Sequence, residues 1–387
     1  MKNFTFSLPT VVHFGEGQVQ TLPQTIRLHG SRVLLVYGGG SIKRSGLYAT
    51  ITGLLQENGI FFQELPGVQP NPRVTSVRAG VALCREHQLD FVLAVGGGSI
   101  IDCAKVIAAA VYYEGDPWDF CLRKAQISDA LPLGSVLTLA ATGSEMNSGA
   151  VISNEETDEK LPVMHKAMLP KFAILDPAQT FSVPASQTAA GTADIMSHVL
   201  EQYFGPVNDA FLADRMSEAV LKTCIHYGPI AVREPDNYAA RANLMWASSL
   251  GLNGLLQTGK TPGDWATHMI EHEVSAIYDI THGLGLAILT PFWMEHVLNG
   301  ENMGRFAQYA RNVWAISESD DLKAAKAGIL ATAAFFRSLG LAGSLKECGV
   351  AADRLEEMAE KAVRFGMLGA LKKLDKDAVL QILTAAF

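Results

Sequence analysis

Hydrophobic positions in the first half of the chain form short runs with few polar interruptions. Four runs lead into small or polar residues, and they are RVLLVYGGGS (32–41), FVLAVGGGSI (91–100), GSVLTLAATGSE (134–145) and KFAILDP (171–177). Continuous apolar runs separated by helical segments are typical of parallel strands buried on both faces. The pattern predicts an α/β dinucleotide-binding domain at residues 1–184, with helices on both faces of a parallel sheet.

The second half has a different pattern, in which apolar positions recur at helical spacing. Stretches rich in alanine, leucine and methionine, such as ADRMSEAVLKTCIHY (213–227) and LKAAKAGILATAAFFRSLG (322–340), follow this spacing, and strand-like runs almost disappear. The window 242–259 is free of charge but contains amides and hydroxyls, which favours a buried core helix over a membrane span. We therefore expect an all-helical domain at residues 185–387.

The composition narrows the expected function and location. The 387 residues are 48% hydrophobic and 18% charged, as in globular proteins. A net charge of −8 argues against nucleic acid or an anionic membrane as a partner. The five cysteines lack CxxC spacing, and the N-terminal stretch MKNFTFSLPTVVHFG has no apolar run before a cleavage site. These features predict a cytoplasmic protein.

Two of the apolar runs end in Gly-Gly-Gly-Ser, at residues 38–41 and 96–99. Such a loop at the start of a helix lets the backbone approach a phosphate, and the free N–H groups and dipole of the helix favour the anion. Each loop alone is also compatible with a tight turn in which glycine only suits the geometry. Two loops in one domain favour a ligand long enough to contact both, such as a dinucleotide.

The residues after the first loop bear on which dinucleotide binds. An acidic residue after the ribose-side strand would bind the 2′-hydroxyl of NAD and repel a 2′-phosphate. The stretch VYGGGSIKRSG has no acid and offers Ser41, Lys43 and Arg44 instead. A hydroxyl and two cations favour NADP, with NAD possible. The alternative is that the two cations belong to a solvated helix face.

A cluster of histidines and one aspartate indicates a metal site. His268 and His272 are four residues apart, and His282 follows ten residues later. Asp194 and His198 repeat the four-residue spacing, so each pair projects from one face of a helix. One buried aspartate and three histidines suit a divalent cation such as Fe²⁺ or Zn²⁺. The chemistry alone leaves open whether His268 or His272 is the ligand.

Several motifs resemble those of the iron-containing alcohol dehydrogenase family. AILDPAQTFSVPASQTAAGTADIMSHVLE (173–201) is similar to the first signature of that family, and WATHMIEHEVSAIYDITHGLG (265–285) is similar to the second, His-x3-His-x9-His-Gly. The likeness spans the whole chain and includes GGGSIIDCAK, QPNP (69–72) and TLAATGSEMN (138–147). It is strongest to the branch of NADPH-dependent butanol dehydrogenases and broad-range aldehyde reductases. The resemblance implies a dehydroquinate synthase-like fold and a homodimer.

The resemblance also implies roles for individual residues. The implied metal ligands are Asp194, His198, His268 and His282. His272 matches a histidine near the substrate and the nicotinamide, where it is a candidate in proton transfer. The implied cofactor-binding residues are Gly38, Ser41, Asn71, Gly97, Gly98, Ser99, Asp102, Thr138, Thr142, Asn147 and Lys160.

The activity implied by the resemblance is the interconversion of primary alcohols and aldehydes with NADP(H). The metal would act as a Lewis acid on the substrate oxygen, and hydride would pass between the carbinol carbon and C4 of the nicotinamide. The same fold also resembles glycerol and other polyol dehydrogenases and the dehydroquinate synthase-like lyases, which are the alternatives. A non-enzymatic scaffold with a structural metal is a further alternative.

Overall fold

The first half of the protein is built around a parallel sheet. The structure, a computed structural model, describes residues 1–207, 209–260 and 262–387. Within these residues the strands are β1 (Val11–Phe14), β2 (Arg32–Tyr37), β3 (Phe61–Leu65), β4 (Phe91–Gly96), β5 (Leu133–Leu137), β6 (Gly149–Asn154), β7 (Glu159–Met164) and β8 (Phe172–Leu175). Six of these strands form one sheet in the order β1-β8-β5-β4-β2-β3, with every neighbouring pair parallel. β6 and β7 form a separate antiparallel hairpin.

Helices cover both faces of the six-stranded sheet, as predicted. They are α1 (Leu22–Arg27), α2 (Ser41–Arg44), α3 (Leu47–Glu57), α4 (Val74–Glu86), α5 (Gly98–Ala110) and α6 (Trp118–Cys121). One hydrophobic cluster joins Leu34 and Val92 of the sheet to α4 and α5, and a second joins Leu35 and Leu93 to α1 and α3. Because successive side chains point to opposite faces of a strand, the two clusters lie on opposite faces of the sheet. Burial on both faces explains why these strands show no polar alternation.

The chain after β8 is largely helical. Its helices are α7 (Ala185–Tyr203), α8 (Phe211–Arg233), α9 (Tyr238–Gly251), α10 (Ala266–Tyr278), α11 (His282–Val297), α12 (Met303–Trp314), α13 (Asp321–Ser338), α14 (Leu355–Ala362) and α15 (Lys376–Ala386). The uncharged window at 242–259 begins within α9, which buries Ala240, Leu244 and Met245 and ends at Gly251. Among the described residues, none of the helices combines the length and the hydropathy needed to cross a membrane.

The chain divides into two compact units. The sheet unit comprises Ser7–Pro184 and Pro235–Ser249, and the helical unit comprises Met1–Phe6, Ala185–Glu234 and Leu250–Phe387. Most of α9 therefore belongs to the sheet unit, although it follows α7 and α8 in the sequence. A single boundary after residue 184 would assign Pro235–Ser249 to the helical unit instead. That boundary therefore stays a proposal.

Candidate functional site

Three of the predicted cofactor residues follow neighbouring strands of the sheet. Gly38 follows β2, Gly97 follows β4 and Thr138 follows β5, and these strands are adjacent in the order β5-β4-β2. Because the carboxyl ends of parallel strands meet at one edge, the structure brings the three residues to the same edge. The chain places β3 on one side of β2 and β4 on the other, so the strand order reverses between β2 and β4. Open α/β sheets bind ligands at such a switch point.

The second glycine loop is packed tightly where α5 begins. Gly97 caps this helix in an extended conformation, and Gly98 is its first residue. A Cβ atom at Gly98 would overlap the side chain of Thr142, so only glycine allows this close approach. Ser99 is half-buried in the first turn of the thirteen-residue helix. The free N–H groups of that turn suit a phosphate, as predicted for a dinucleotide.

A buried lysine holds the segments around this loop together. Lys105 of α5 is fully buried, and its Nζ donates to Ser144 Oγ, Asn147 Oδ1 and the Gly149 carbonyl at 2.8, 2.9 and 2.6 Å. Burial lowers the pKa of Lys105 to about 8, although the nearby Asp102 raises it. All three ammonium donors are therefore used within the protein, and Lys105 supports the loop rather than reaching a phosphate.

Asp102, a predicted cofactor residue, is also bound to the protein on both oxygens. Its carboxylate accepts from Ser144 Oγ at 2.6 Å and from the Val151 N–H at 2.9 Å. Burial raises the pKa of Asp102, while the charge of Lys105 opposes this rise. The two contacts tie α5 to β6 and to the loop that carries Asn147.

The end of α9 completes the same loop. Ser249 Oγ donates to the fully buried Glu145 at 2.5 Å, and Ser248 Oγ accepts from the Gly143 N–H at 3.3 Å. Burial raises the pKa of Glu145, while the bond from Ser249 lowers it. The loop between Thr138 and Asn147 therefore depends on a segment that is remote in sequence.

The remaining predicted cofactor residues lie in three different loops or strands. Ser41 is the exposed first residue of α2, and Asn71 is a buried residue with the left-handed φ of 51°. Lys160 lies buried on β7, where it pairs with Ser153 of β6. A left-handed backbone at a residue other than glycine is uncommon and often marks a functional loop.

The first glycine loop is followed by a lysine that lies over two aromatic rings. Lys43 Nζ is 4.7 Å from the ring centre of Tyr48 and 5.2 Å from that of Tyr37, within the range of cation–π attraction. Both tyrosine hydroxyls donate to Glu64, at 2.5 Å from Tyr37 and 3.0 Å from Tyr48. Glu64 was not predicted, because this acid is not in the loop but on β3, beside β2.

The predicted metal ligands and their neighbours lie in the helical unit. Every residue of α7 from position 188 to 203 is buried, so this helix is surrounded on all sides. Asp194, His198 and Glu201 follow each other at spacings of four and three residues, which places them along one side of the helix. Asp194 Oδ1 lies 3.1 Å from His198 Nδ1. Buried polar groups of this kind require partners or an ion.

Two further histidines approach the same aspartate oxygen from α10 and α11. His268 Nε2 and His282 Nε2 each lie 4.0 Å from Asp194 Oδ1. One ligand atom from each of these three residues lies within 4.8 Å of the other two. His198 is close to Asp194 but is outside this three-residue set. The structure thus groups three of the four predicted ligands and puts the fourth beside them.

Local backbone features bring the two helices to α7. α10 ends at Tyr278, where Asp279 adopts a left-handed φ of 49°, and α11 begins at His282 itself. A Cβ at Gly283 would overlap the carbonyl of Ala190 in α7. Glycine at position 283 therefore lets the first turn of α11 lie directly against α7.

Two glutamates that were not predicted as site residues contact the imidazoles. The Glu201 carboxylate is in hydrogen-bonding contact with His268 Nδ1, and the Glu271 carboxylate with His282 Nδ1. Both glutamates are completely buried. Glu201 also accepts from the Thr267 N–H at 2.6 Å. Glu201 does lie in the first signature stretch, but spacing alone does not distinguish a buried glutamate from one on a solvated helix face.

His272 occupies a different position from His268. It is buried, and its ring centre lies 5.5 Å from that of His282. Ligand-type atoms of His272, His282 and Glu271 also lie within 4.8 Å of one another, in a set that does not include Asp194. His272 therefore lies next to the aspartate-centred group, as a residue in proton transfer requires, and its role stays a prediction.

The aspartate-centred group fits a divalent cation. Asp194 Oδ1, His198 Nδ1 and His268 Nε2 are buried and have no hydrogen-bond partner among the described residues. Burial alone would raise the pKa of Asp194, but the neighbouring histidines lower it to about 2. An ionised carboxylate with converging imidazole nitrogens is a donor set that Fe²⁺ and Zn²⁺ both accept.

The chain matches one known family over most of its length. A family model described as iron-containing alcohol dehydrogenase matches residues 9–177, and a model of the C-terminal part of the same family matches residues 188–387. The NADH-dependent butanol dehydrogenase A of Clostridium acetobutylicum is 53% identical over 100% of both chains. The NADPH-dependent aldehyde reductase YqhD of Escherichia coli is 40% identical over 100% of both. The crystal structure of an NADH-dependent butanol dehydrogenase A from Thermotoga maritima matches 100% of this chain and 99% of its own, with a TM-score of 0.97 and 37% identity.

Proposed function

Because the chain belongs to the iron-containing alcohol dehydrogenase family, we propose that it interconverts primary alcohols and aldehydes with NADP(H) at a divalent-cation site. Membership of this family makes it an NAD(P)-dependent oxidoreductase of alcohols and aldehydes. The observation that carries the finer proposal is the convergence of His268 Nε2 and His282 Nε2 on Asp194 Oδ1, each at 4.0 Å.

The predicted site residues would have two roles, which are to bind the cation and to transfer a proton. Asp194, His198, His268 and His282 would hold Fe²⁺ or Zn²⁺. When bound, the cation supplies Lewis acidity to the substrate oxygen and the nicotinamide supplies or accepts hydride. His272, which is buried beside His282, would pass a proton between the substrate oxygen and solvent. Burial of Asp194, His198, His268 and His272 would keep these groups in place.

The dinucleotide would bind at the switch point of the sheet. The first turn of α5, with Gly97, Gly98 and Ser99, would accept the diphosphate through its free N–H groups. Lys105 and Asp102 would keep this turn and the loop of Asn147 in position through their internal hydrogen bonds. We propose that the dinucleotide also contacts the remaining predicted cofactor-binding residues, which are Gly38, Ser41, Asn71, Thr138, Thr142 and Lys160.

The choice of NADP(H) is supported by the cation on α2. Lys43 lies against two tyrosine rings close to Ser41, where an adenosine 2′-phosphate would need positive charge. NAD(H) is the second candidate, favoured by the nearby acid Glu64 and by the likeness to a relative that is named an NADH-dependent butanol dehydrogenase, at 53% identity. The ratio of kcat/KM values with NADPH and NADH decides between them.

A homodimer is also proposed. In the sheet unit, β1 lies at one edge of the sheet, and its residues Val11 and Phe14 are exposed. Exposed apolar residues on an edge strand are a liability that a second subunit can cover. Light scattering of the purified protein tests this state, and a monomeric mass at all concentrations contradicts it.

A steady-state screen tests the proposed activity. The purified protein is stripped of metal, reconstituted separately with Fe²⁺ or Zn²⁺, and offered C2 to C8 aldehydes with NADPH or NADH. We expect metal-dependent oxidation of the reduced cofactor. The absence of turnover with every ion and aldehyde would overturn the proposal, as would turnover that is independent of metal. Turnover of glycerol or of a phosphorylated heptulosonate in its place would favour the polyol dehydrogenase or the lyase.

A further inference from the structure

We infer that Glu201 and Glu271 are positioning residues, each of which fixes the orientation and tautomer of one metal-binding histidine. Glu201 contacts His268 Nδ1, and Glu271 contacts His282 Nδ1. Both contacts leave the Nε2 atom of the same ring directed at Asp194, 4.0 Å away in each case. The inference rests on the proposed cation site and assigns a role to two glutamates that lie in the signature stretches but were not predicted as site residues.

Each glutamate is itself held by a second donor. One oxygen of Glu201 accepts from the Thr267 N–H at 2.6 Å, and the other contacts His268. One oxygen of Glu271 accepts from Ser275 Oγ, one turn further along α10, and the other contacts His282. A carboxylate fixed at one oxygen presents the other at a defined point, so the ring that donates to it is fixed as well. The Glu201–His268 and Glu271–His282 pairs therefore have the same arrangement.

The contacts decide which ring nitrogen can bind an ion. An ionised carboxylate only accepts hydrogen bonds, so the nitrogen that faces it must carry the proton. When either ring is neutral, its proton therefore belongs on Nδ1, and the Nε2 lone pair is left to bind an ion. Second-sphere carboxylates act in this way on many metal-binding histidines, and they also increase the basicity of the ring.

The spacing of the atoms distinguishes this arrangement from the alternative set that contains His272. Ligand atoms in a tetrahedral site with bonds of about 2.1 Å lie roughly 3.4 Å apart, close to the 4.0 Å between Asp194 Oδ1 and each Nε2 atom. Glu271 and His282 Nδ1 are instead in direct hydrogen-bonding contact, which leaves no room for an ion between them. The glutamate thus acts through the histidine and is not itself a ligand.

Charge gives the glutamates a second role. Asp194, Glu201 and Glu271 are three carboxylates that are at most 2% exposed and that lie around the same group of imidazoles. Burying a carboxylate is costly unless positive charge compensates it. A divalent cation among the neutral imidazoles supplies that charge, so the two glutamates should strengthen cation binding beyond the effect of orientation.

Glutamine substitutions separate this role from a structural one. Glu201→Gln and Glu271→Gln keep the size of the side chain but remove its charge. A glutamine amide that faces Nδ1 would donate to it and move the ring proton to Nε2. Glu218→Gln is the matched control, because Glu218 is a buried helical glutamate of the same unit. Among the described residues it accepts from Arg215, Tyr203 and Asn312, at 2.5, 2.8 and 3.0 Å, and from no histidine. Zn²⁺ affinity is measured on metal-free protein by competition with a chromophoric chelator, and the Tm with and without Zn²⁺.

We expect Glu201→Gln and Glu271→Gln each to weaken Zn²⁺ binding about 10- to 100-fold and to reduce the rise in Tm that Zn²⁺ causes. Glu218→Gln should lower the Tm of both forms equally and leave the affinity within about twofold. If the wild type binds Zn²⁺ and the two variants bind it equally well, the inference is overturned while the proposed function stands. If the wild type binds neither Zn²⁺ nor Fe²⁺, the proposed cation site fails and the inference fails with it.

A second measurement needs no variant and covers the case in which the glutamine variants do not fold. Protein containing ¹⁵N-histidine is loaded with ¹¹³Cd²⁺, and the one-bond couplings between cadmium and nitrogen are recorded by NMR. We expect His268 and His282 to couple through Nε2 and to keep a proton on Nδ1. Coupling through Nδ1 of either ring would overturn the inference.

Discussion

His268 Nε2 lies 4.0 Å from Asp194 Oδ1, and neither buried atom has a hydrogen-bond partner in the part of the chain that the structure describes. His268 belongs to α10 and Asp194 to α7, and more than sixty residues separate the two in the chain. A buried imidazole and a buried carboxylate at this separation are held too far apart to bond directly. The arrangement suits an ion that binds to both.

Substituting His268 by alanine should therefore remove metal and activity together. If His268 is a direct ligand, we expect the affinity for Zn²⁺ or Fe²⁺ to fall by more than the roughly 10- to 100-fold typical of a lost outer partner. Metal content after dialysis, measured by mass spectrometry, and turnover should decline in parallel. His226→Ala, at an exposed histidine of α8, is the control and should retain both.

Substituting His272 by alanine should have a different effect. The variant should keep its metal but lose about 10²- to 10⁴-fold in steps that transfer a proton, because a general acid–base group contributes that much. Metal content and the solvent deuterium isotope effect on turnover provide the test. Loss of the ion in His272→Ala, together with its retention in His268→Ala, would reverse the assignment of the two histidines.

Substituting Lys43 by alanine should change the cofactor preference. If Lys43 contacts the 2′-phosphate, the ratio of kcat/KM with NADPH to that with NADH should fall about tenfold, which corresponds to about 1.4 kcal/mol. Lys124→Ala, at an exposed lysine of the sheet unit, should leave the ratio unchanged. An unchanged ratio in Lys43→Ala would show that Lys43 does not select the cofactor.

Stability should rise with pH in the alkaline range because of Lys105. Burial lowers the pKa of Lys105 to about 8 in the folded protein, whereas the unfolded chain keeps a value of about 10.5. Between these values the unfolded state binds more protons, so raising the pH favours folding. From pH 7 to pH 10 we expect Lys105 to contribute about 2 kcal/mol to the rise in the free energy of unfolding. Urea denaturation of wild type and Lys105→Met at both pH values measures this, and equal pH dependence in the two proteins contradicts it.

Substituting Gly283 by alanine should weaken both stability and metal binding. The new Cβ would overlap the carbonyl oxygen of Ala190. Because this oxygen belongs to the backbone of α7, the overlap can be relieved only if α7 and α11 move apart. Such overpacking costs roughly 1–3 kcal/mol, and here it would displace the adjacent His282. Gly300→Ala is the control, because a Cβ at Gly300 would meet no atom of the described residues within 4 Å. Thermal unfolding and Zn²⁺ titration of both variants test the prediction.

The fold was predictable where strands are buried on both faces. The four apolar runs correspond to β2, β4, β5 and β8. β3, with the sequence FFQEL, was missed because it lies at the edge of the sheet and carries polar residues. The β6-β7 hairpin was missed for a similar reason. β7 exposes Pro162 and Met164, whereas Lys160, Leu161 and Val163 of the same strand are buried. Edge and hairpin strands share their faces with solvent, which weakens the apolar signal.

The candidate site was predictable only in part. Regular spacing of four residues indicated Asp194, His198, His268 and His272 as pairs on helix faces, and the structure brings Asp194 and His268 together. Glu201 and Glu271 were not identified as site residues, because a glutamate in a helix is usually solvated. Only the packing of α7 and α10 shows that these two carboxylates are buried and face imidazoles.

The contribution of α9 to the sheet unit has a consequence for exchanging parts between relatives. The polypeptide passes from one unit to the other at four points, after residues 6, 184, 234 and 249. A chimera joined only at residue 184 would combine the Glu145 loop of one parent with the Ser249 of the other. Residues 235–249 should therefore be transplanted together with residues 7–184, and hybrids made this way should express better than hybrids with a single crossover.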